Sequence, residues 1–418
     1  MALDLTTMDA ALKEYYTPEA IEVMVYKDNP LLALLPKFED MRGRYMDVPI
    51  IYGNPQGRSA TFSRAITRGA STSSAIKRFL ITRVKNYSVA TIDNETILAS
   101  ENDKGAFLEA LTLEMDGALA SLTRDLAGAV YRAGYGARGS ISTSSFGVTT
   151  LTLNSRADIV NFEVGMELVV AASESGNTLR ALGSSGNGLI VTGINRSAGT
   201  LSFAYNVNDS TNGIPLIAQN DVLFVRGDRE DSSTPARLKT AGLEAWCPAS
   251  AVTSTAFFGM DRTSDASRLA GLSYDGSGAP IEEALIEGAS RSAENGGKVD
   301  HAFMNYANYS ALEKSLGSKV NYVDLSTGRI AFRGIRVNGP RGEINVVPDQ
   351  NCPAQRCFML QLNTWKFGSM GKLVRVVDTD GLETLRQATS DGIEYRCAHY
   401  GNLYCNAPGY NINVQLAN

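Results

Sequence analysis

One stretch limits what this chain can fold into more than any other. Between Lys104 and Ala133, the segment KGAFLEALTLEMDGALASLTRDLAGAVYRA places Leu108, Leu111, Met115, Leu119, Leu122 and Leu126 at spacings of three and four. Phe107, Leu113 and Val130 widen the stripe, and the helical period already begins near Asn94. At 1.5 Å per residue the segment spans roughly 45 Å before Gly134 and Gly136 stop it. So long a helix with one apolar side suits a spine laid across a sheet better than a compact bundle. Gly117 and Gly128 inside it cost helix propensity and permit close packing or a bend.

The sequence changes character on both sides of this spine. Upstream, RYMDVPIIYGNPQGRS and IKRFLITRVKNYSVATID alternate apolar and polar residues as strands do, on either side of the polar SATFSRAITRGASTSSA. The pattern predicts a long two-stranded loop with a solvent-facing tip. From Arg42 to Lys85 it carries nine basic residues, with Lys37 just before, against Asp47 alone. In a chain of net charge −5 that local excess points to docking on an acidic partner or a neighbouring subunit. Further upstream, Pro30 and Pro36 bracket LLALL, and residues 1–40 read as an arm whose short apolar run docks on a neighbouring surface.

Downstream, residues 138–228 are rich in Gly, Ser, Thr and Asn, with short apolar runs at all-β spacing. NRSAG between IVTGI and TLSFA is a hairpin signal, and the region reads as a small inserted β-barrel or sandwich. Pro280 then opens a helix, IEEALIEGASRSAE, that Gly296 and Gly297 end. VDHAFMN reads as a strand, NYSALEKSL as a helix, and the remainder as strands, with a closing strand pair in GIEYRCAHYGNLYCNAPGYNINVQL. The predicted class is α+β.

Little in the sequence asks for chemistry. A composition of 44% hydrophobic and 20% charged residues is that of a globular chain. It holds no apolar run of about 18 residues and no basic-then-apolar leader, so it reads as soluble and cytosolic, with no membrane contact. The negative net charge disfavours a dedicated nucleic-acid binder. Cys247, Cys352, Cys357, Cys397 and Cys405 are odd in number and scattered, which predicts buried thiols and no disulfide framework. With only His301 and His399, histidine catalysis is restricted.

VNGPRGEINVV, residues 337–347, lacks the lysine, hydroxyl and following helix of a phosphate loop, and predicts a hairpin with Arg341 at its tip. YDGSGAPIEEALIEGA puts Ile281 where a dinucleotide fingerprint needs glycine, and two glutamates where pyrophosphate would sit. Asp378, Asp380 and Glu383 are too few for a calcium loop. No cysteine pair has zinc spacing and no nucleophile elbow occurs, so no catalytic residue, metal or cofactor is assigned.

The order of segments resembles the HK97-like major capsid proteins of tailed bacteriophages. The likeness is carried by VDHAFMNYANYSALEKSLGSK, FRGIRVNGPRGEINVVPDQNCPAQRCFMLQLNTWKFGSMG and DGIEYRCAHYGNLYCNAPGYNINV, together with the arm, basic loop and spine helix. It covers most of the chain outside about 138–240 and rests on order and length. The resemblance implies an N-terminal arm at 1–43, an E-loop at 44–93 and a spine helix at 94–137. It implies a β-rich insertion at 138–240, peripheral-domain parts at 241–275 and 375–418, and an axial domain at 276–374.

The resemblance also implies a subunit that assembles with itself into hexamers and pentamers of an icosahedral head. That head would enclose double-stranded DNA without sequence-specific binding, in a virion assembled in the bacterial host cytoplasm. A separate scaffolding protein is expected, because no long segment precedes the arm, with portal and decoration proteins as further partners. Arg58, Arg64, Arg68, Lys77, Arg78 and Arg341 are the expected contacts between subunits. Two other readings stay open. One is an encapsulin-like cellular shell with protein cargo; the other is a carboxylate-dependent hydrolase built on the insertion.

Overall fold

A computed structural model describes residues 29–93, 104–252, 256–317, 322–327, 330–377, 384–386 and 391–417. Most of the expected arm, the first ten residues of the expected spine and the acidic turn at Asp378–Glu383 lie outside the described residues. The spine helix spans Lys104–Ala129. Its last turn tightens, with Tyr131 N donating to Gly128 O at 3.2 Å. Gly134 (φ +90°) and Gly136 (φ +83°) then take a left-handed backbone that side chains resist.

Met115, Leu119, Leu122, Leu126 and Val130 are buried, as the stripe requires. They pack on a six-stranded sheet built around one strand, Gly392–Cys405. Val84–Asp93 pairs with it antiparallel over ten residues, from Gly392↔Asp93 to Gly401↔Val84. Its other edge takes Trp365–Ser369, Arg375–Val376 and Thr384–Arg386 in turn. Lys37–Phe38 closes the sheet parallel to the Trp365 strand.

A second sheet has seven strands, in the order 272–275, 412–415, 356–360, 301–304, 342–348, 330–339 and 322–327. The helix Ile281–Glu294 lies on it, burying Ala284, Leu285 and Ala289. VNGPRGEINVV is the expected hairpin, with Gly339 opposite Gly342 and only Pro340 and Arg341 in the turn. The two sheets share one core through Phe303, Val347, Phe358 and Trp365.

The insertion is a closed six-stranded barrel. Its strands run in the order 137–140, 222–225, 167–171, 189–195, 200–203 and 150–152. The bridge Ile141↔Leu153 joins the last strand back to the first. NRSAG is its tightest hairpin: Asn195 accepts from the amides of Ser197 and Ala198, and Gly199 turns at φ +66°. Ile141, Phe162, Leu168, Leu201 and Leu223 fill the interior, all fully buried. This core contains no residue from the rest of the molecule. The barrel leaves and rejoins the body at one place, where Lys239 N donates to Gly134 O (3.1 Å) and Gly242 N to Arg132 O (2.9 Å).

Four expectations need correction. IKRFLITRVKNYSVATID is not one strand: it breaks at Arg83, and only Ala75–Thr82 belongs to the hairpin with Tyr45–Gly53, while Val84–Asp93 enters the central sheet. LLALL does not await a neighbour; Leu31, Leu32, Ala33 and Leu35 are buried in the chain's own core. The closing strands do not pair with each other, since Gly392–Cys405 and Ile412–Gln415 belong to different sheets. For the same reason 375 is not a boundary: Trp365–Ser369 already lies in the central sheet, and the end of the chain returns to the other. In each case local periodicity names a strand, but pairing across hundreds of residues selects its sheet.

Candidate assembly interface

The hairpin Tyr45–Gly53 with Ala75–Thr82 carries the basic excess away from the body. Its alternating pattern points Val48, Ile50, Phe79 and Ile81 inward at the base. Phe79 stands edge-on to Trp246 (5.0 Å between centroids) and Phe257 (6.1 Å), and Leu80 N donates to Phe258 O at 3.0 Å. Fully burying Phe79 is worth about 1.5–3 kcal/mol, enough to hold the base rigid. Beside the base, Pro49, Ile51, Arg268, Asn295 and Tyr410 line an open groove of about 490 Å³.

The distal half differs. Residues 54–74 hold a helix, Phe62–Ser71, that buries no side chain at all. The polar composition hid it. In FSRAITRGAS, Phe62, Ala65, Ile66 and Gly69 follow the i, i+3, i+4, i+7 spacing over too few residues to stand out. Polar contacts fix its shape: Thr67 Oγ1 donates to Ser63 O (2.9 Å), Thr72 Oγ1 to Arg68 O (2.8 Å), and Gln56 N to Thr72 Oγ1 (3.0 Å). Gly57 crosses at Gly69, where an added Cβ would lie 3.0 Å from the Gly69 Cα. That crossing covers one end of the apolar face and leaves Phe62 81% and Ile66 55% exposed.

The six expected contact residues separate into two groups. Lys77 Nζ donates to Asp261 O (3.3 Å) and Ser264 Oγ, and lies over the Tyr52 ring. Arg78 bridges Asp47 across the hairpin at 3.1 Å. Arg341 caps the carbonyls that end the Ile281 helix, Gly296 O at 2.6 Å and Gly297 O at 3.2 Å. These three already serve the chain's own fold. Arg58, Arg64 and Arg68 have no side-chain partner among the described residues; Arg64 and Arg68 share the tip helix with Phe62 and Ile66.

The titratable groups elsewhere are arranged for structure. All five cysteines are free and buried, and burial pushes the Cys397 thiol up to about 11 and Cys405 to about 12. Burial holds His399 down at about 4, with Nδ1 bound to Leu373 O at 2.6 Å. Four of the barrel's acids are committed to ion pairs or turn amides. Asp221 takes Arg180 bidentately (3.0 and 2.8 Å), Asp158 takes Arg132 (2.6 Å), Glu167 takes Arg226, and Asp209 accepts from two turn amides. Among the described residues no cluster of His, Cys, Asp and Glu could hold a metal ion, and no helix is long and apolar enough to cross a membrane.

At the barrel's root Arg138 and Lys239 meet Asp125 of the spine and Asp228. Lys239 Nζ lies 2.9 and 2.8 Å from the two carboxylates, and also donates to Asn86 Oδ1 at 3.0 Å. Four largely buried charges tie the central-sheet strand Val84–Asp93, the spine and the insertion at one point, a junction invisible in sequence order.

Comparison with known proteins agrees with this architecture. The family model described as SU10 major capsid protein matches residues 187–390, just under half of the chain. No curated protein matches at a significant level. The capsid asymmetric unit of cyanophage A-1(L) is similar over 93% of this chain and 92% of that one, at TM-score 0.50 and 11% identity. The Gordonia phage Cozz structure follows at TM-score 0.44 (10% identity; 94% and 87% covered), and the SrpI encapsulin of Synechococcus elongatus at 0.42 (9%; 99% and 96%). The first of these shows the fold, and the weaker two add no argument to it. The capsid-protein match lies across most of the seven-stranded sheet and three of the barrel's six strands, on a fold shared with a phage capsid, and together they support a phage major capsid protein of the HK97-like kind.

Proposed function

We propose that this capsid protein joins its neighbours chiefly through the distal half of the E-loop, with the Phe62–Ser71 helix as the contact element. One observation carries this reading: a helix whose apolar Phe62/Ile66 face is left exposed, flanked by three arginines without a side-chain partner among the described residues. An isolated helix of ten residues is marginal in water, so a partner surface accounts for keeping it. Apolar burial would supply affinity, while Arg58, Arg64 and Arg68 would select an acidic patch on the next subunit. A protruding element that fits a different surface on the next copy makes a head-to-tail contact, and such contacts close into rings.

On this reading residues 44–82 are the E-loop, and the six-stranded sheet with the spine forms the peripheral domain. The seven-stranded sheet supplies the axial domain at five- and six-fold centres, and the barrel is a surface insertion. The shell would enclose double-stranded DNA by confinement, with separate scaffolding, portal and decoration proteins, and would assemble in the host cytoplasm. Reversal of Arg58, Arg64 or Arg68 to glutamate, or Ile66→Asp, is expected to cut the yield of closed particles while leaving the unassembled chain folded. Electron microscopy and sedimentation read the yield, and wild-type yields from all four variants would overturn the role given to the tip.

A further inference from the structure

Between strands 167–171 and 189–195 the barrel sends out the turn Ser173–Asn177. The turn is closed by Ser173 Oγ, which accepts from Gly176 N at 3.0 Å, and by Asn177 at φ +64°. Arg229 grips it from the barrel side, donating to the carbonyls of Glu174 (3.2 Å), Gly176 (2.9 Å) and Asn177 (2.7 Å), with its guanidinium over the Phe224 ring.

The Glu174 side chain lies among charged groups of both the barrel and the body. It lies near Glu244 on the short helix Leu243–Trp246, Arg132 just past the spine, Arg237 on the returning segment, and Arg229. These groups are largely committed elsewhere. Arg132 is bound to Asp158 at 2.6 Å; Arg237 donates to Ala133 O at 3.0 Å and stacks on Tyr135 and Phe257. Asp231 also acts on Arg229, and Arg262 shares the Phe257 ring with Arg237. As a result Glu174 Oε1 is sealed from solvent with no hydrogen-bond donor, although three guanidinium groups stand near. An ionised oxygen in that position lacks a bond that an anion needs, whereas the oxygen of a carboxylic acid tolerates it.

We propose that Glu174 is a proton-operated catch: protonated, it keeps the inserted barrel seated on the body, and ionised, it loosens the seam. Burial, followed by repulsion from Glu244, moves this carboxyl up to about 7, against an ordinary 4.5 once exposed. Seating is therefore strongest below about 4.5 and weakens as pH rises toward about 7, by up to about tenfold in the opening equilibrium per pH unit; it is level above that.

The test is hydrogen exchange of the purified full-length, unassembled chain at pH 5 to 8, read at 171–179 and 237–246 as a ratio to Glu174→Gln at each pH. Wild type is expected to lose protection relative to Glu174→Gln as pH rises to 7. Glu244→Gln, which removes the repelling charge, is expected to move the upper end of that change to lower pH. A ratio that does not vary with pH, or a Glu244→Gln profile identical to wild type, would overturn the catch. Particle assembly does not enter the measurement, so the result is independent of the E-loop proposal.

Discussion

The barrel and the tip of the basic hairpin both project from the body, yet they are stabilised in opposite ways. The barrel closes its sheet on itself and fills it with its own side chains, so its fold is complete before any neighbour arrives. The tip buries no residue of its helix and holds its shape by polar bonds and a Gly57–Gly69 crossing. A projection with a private core can be added to a shell subunit without disturbing it. A projection without one gains from being covered, and in a protein that assembles with itself the cover at hand is another copy.

Substitutions can break or sharpen this contrast. Phe162→Ala opens a cavity inside the barrel and should cost about 3–5 kcal/mol, lowering only a barrel transition in calorimetry and leaving that of the body in place. A single transition shifted as a whole would show that the two cores are not independent. Asp125→Ala leaves Lys239 and Arg138 with Asp228 alone, and should cost about 3 kcal/mol in denaturant unfolding, at the low end of broken buried pairs.

His399 gives a smaller, pH-dependent effect. Its folded pKa of about 4 lies below the ordinary 6.5, so the neutral ring stabilises the fold fully above about 6.5. That contribution is lost as pH falls through about 4, by at most about 1.4 kcal/mol per pH unit. His399→Gln should flatten this part of the acid-unfolding curve. The smallest effect belongs to the tip: Ile66→Ser should change the stability of the unassembled chain by less than about 0.5 kcal/mol, as exposed positions do. A larger loss would mean the tip is braced by its own chain after all.

Much of this fold was legible in the residues. The spine announced itself through the spacing of Met115, Leu119, Leu122 and Leu126, and the insertion through its change of composition and the NRSAG turn. The hairpin at Pro340–Arg341 followed from turn chemistry. The candidate site was half legible: a basic projecting loop could be read, but its tip helix could not, because four apolar positions in ten residues fall below what periodicity can separate from chance. Lys77, Arg78 and Arg341 looked like free cations because their acceptors, Asp261 O, Asp47 and the Gly296 carbonyl, lie on other elements.

What the residues determined alone was local: which segments are helix, strand or turn, and which side of each is apolar, since backbone preferences and side-chain spacing act within a few residues. Tertiary structure alone decided which sheet each strand joins, that LLALL serves this chain's own core, and that Asn86, Asp125, Asp228 and Lys239 meet at one junction. Those choices depend on contacts between residues 320 positions apart, such as Asn402 Nδ2 on Thr82 O. Many pairings satisfy the same local pattern, and only the packing of the whole chain selects among them.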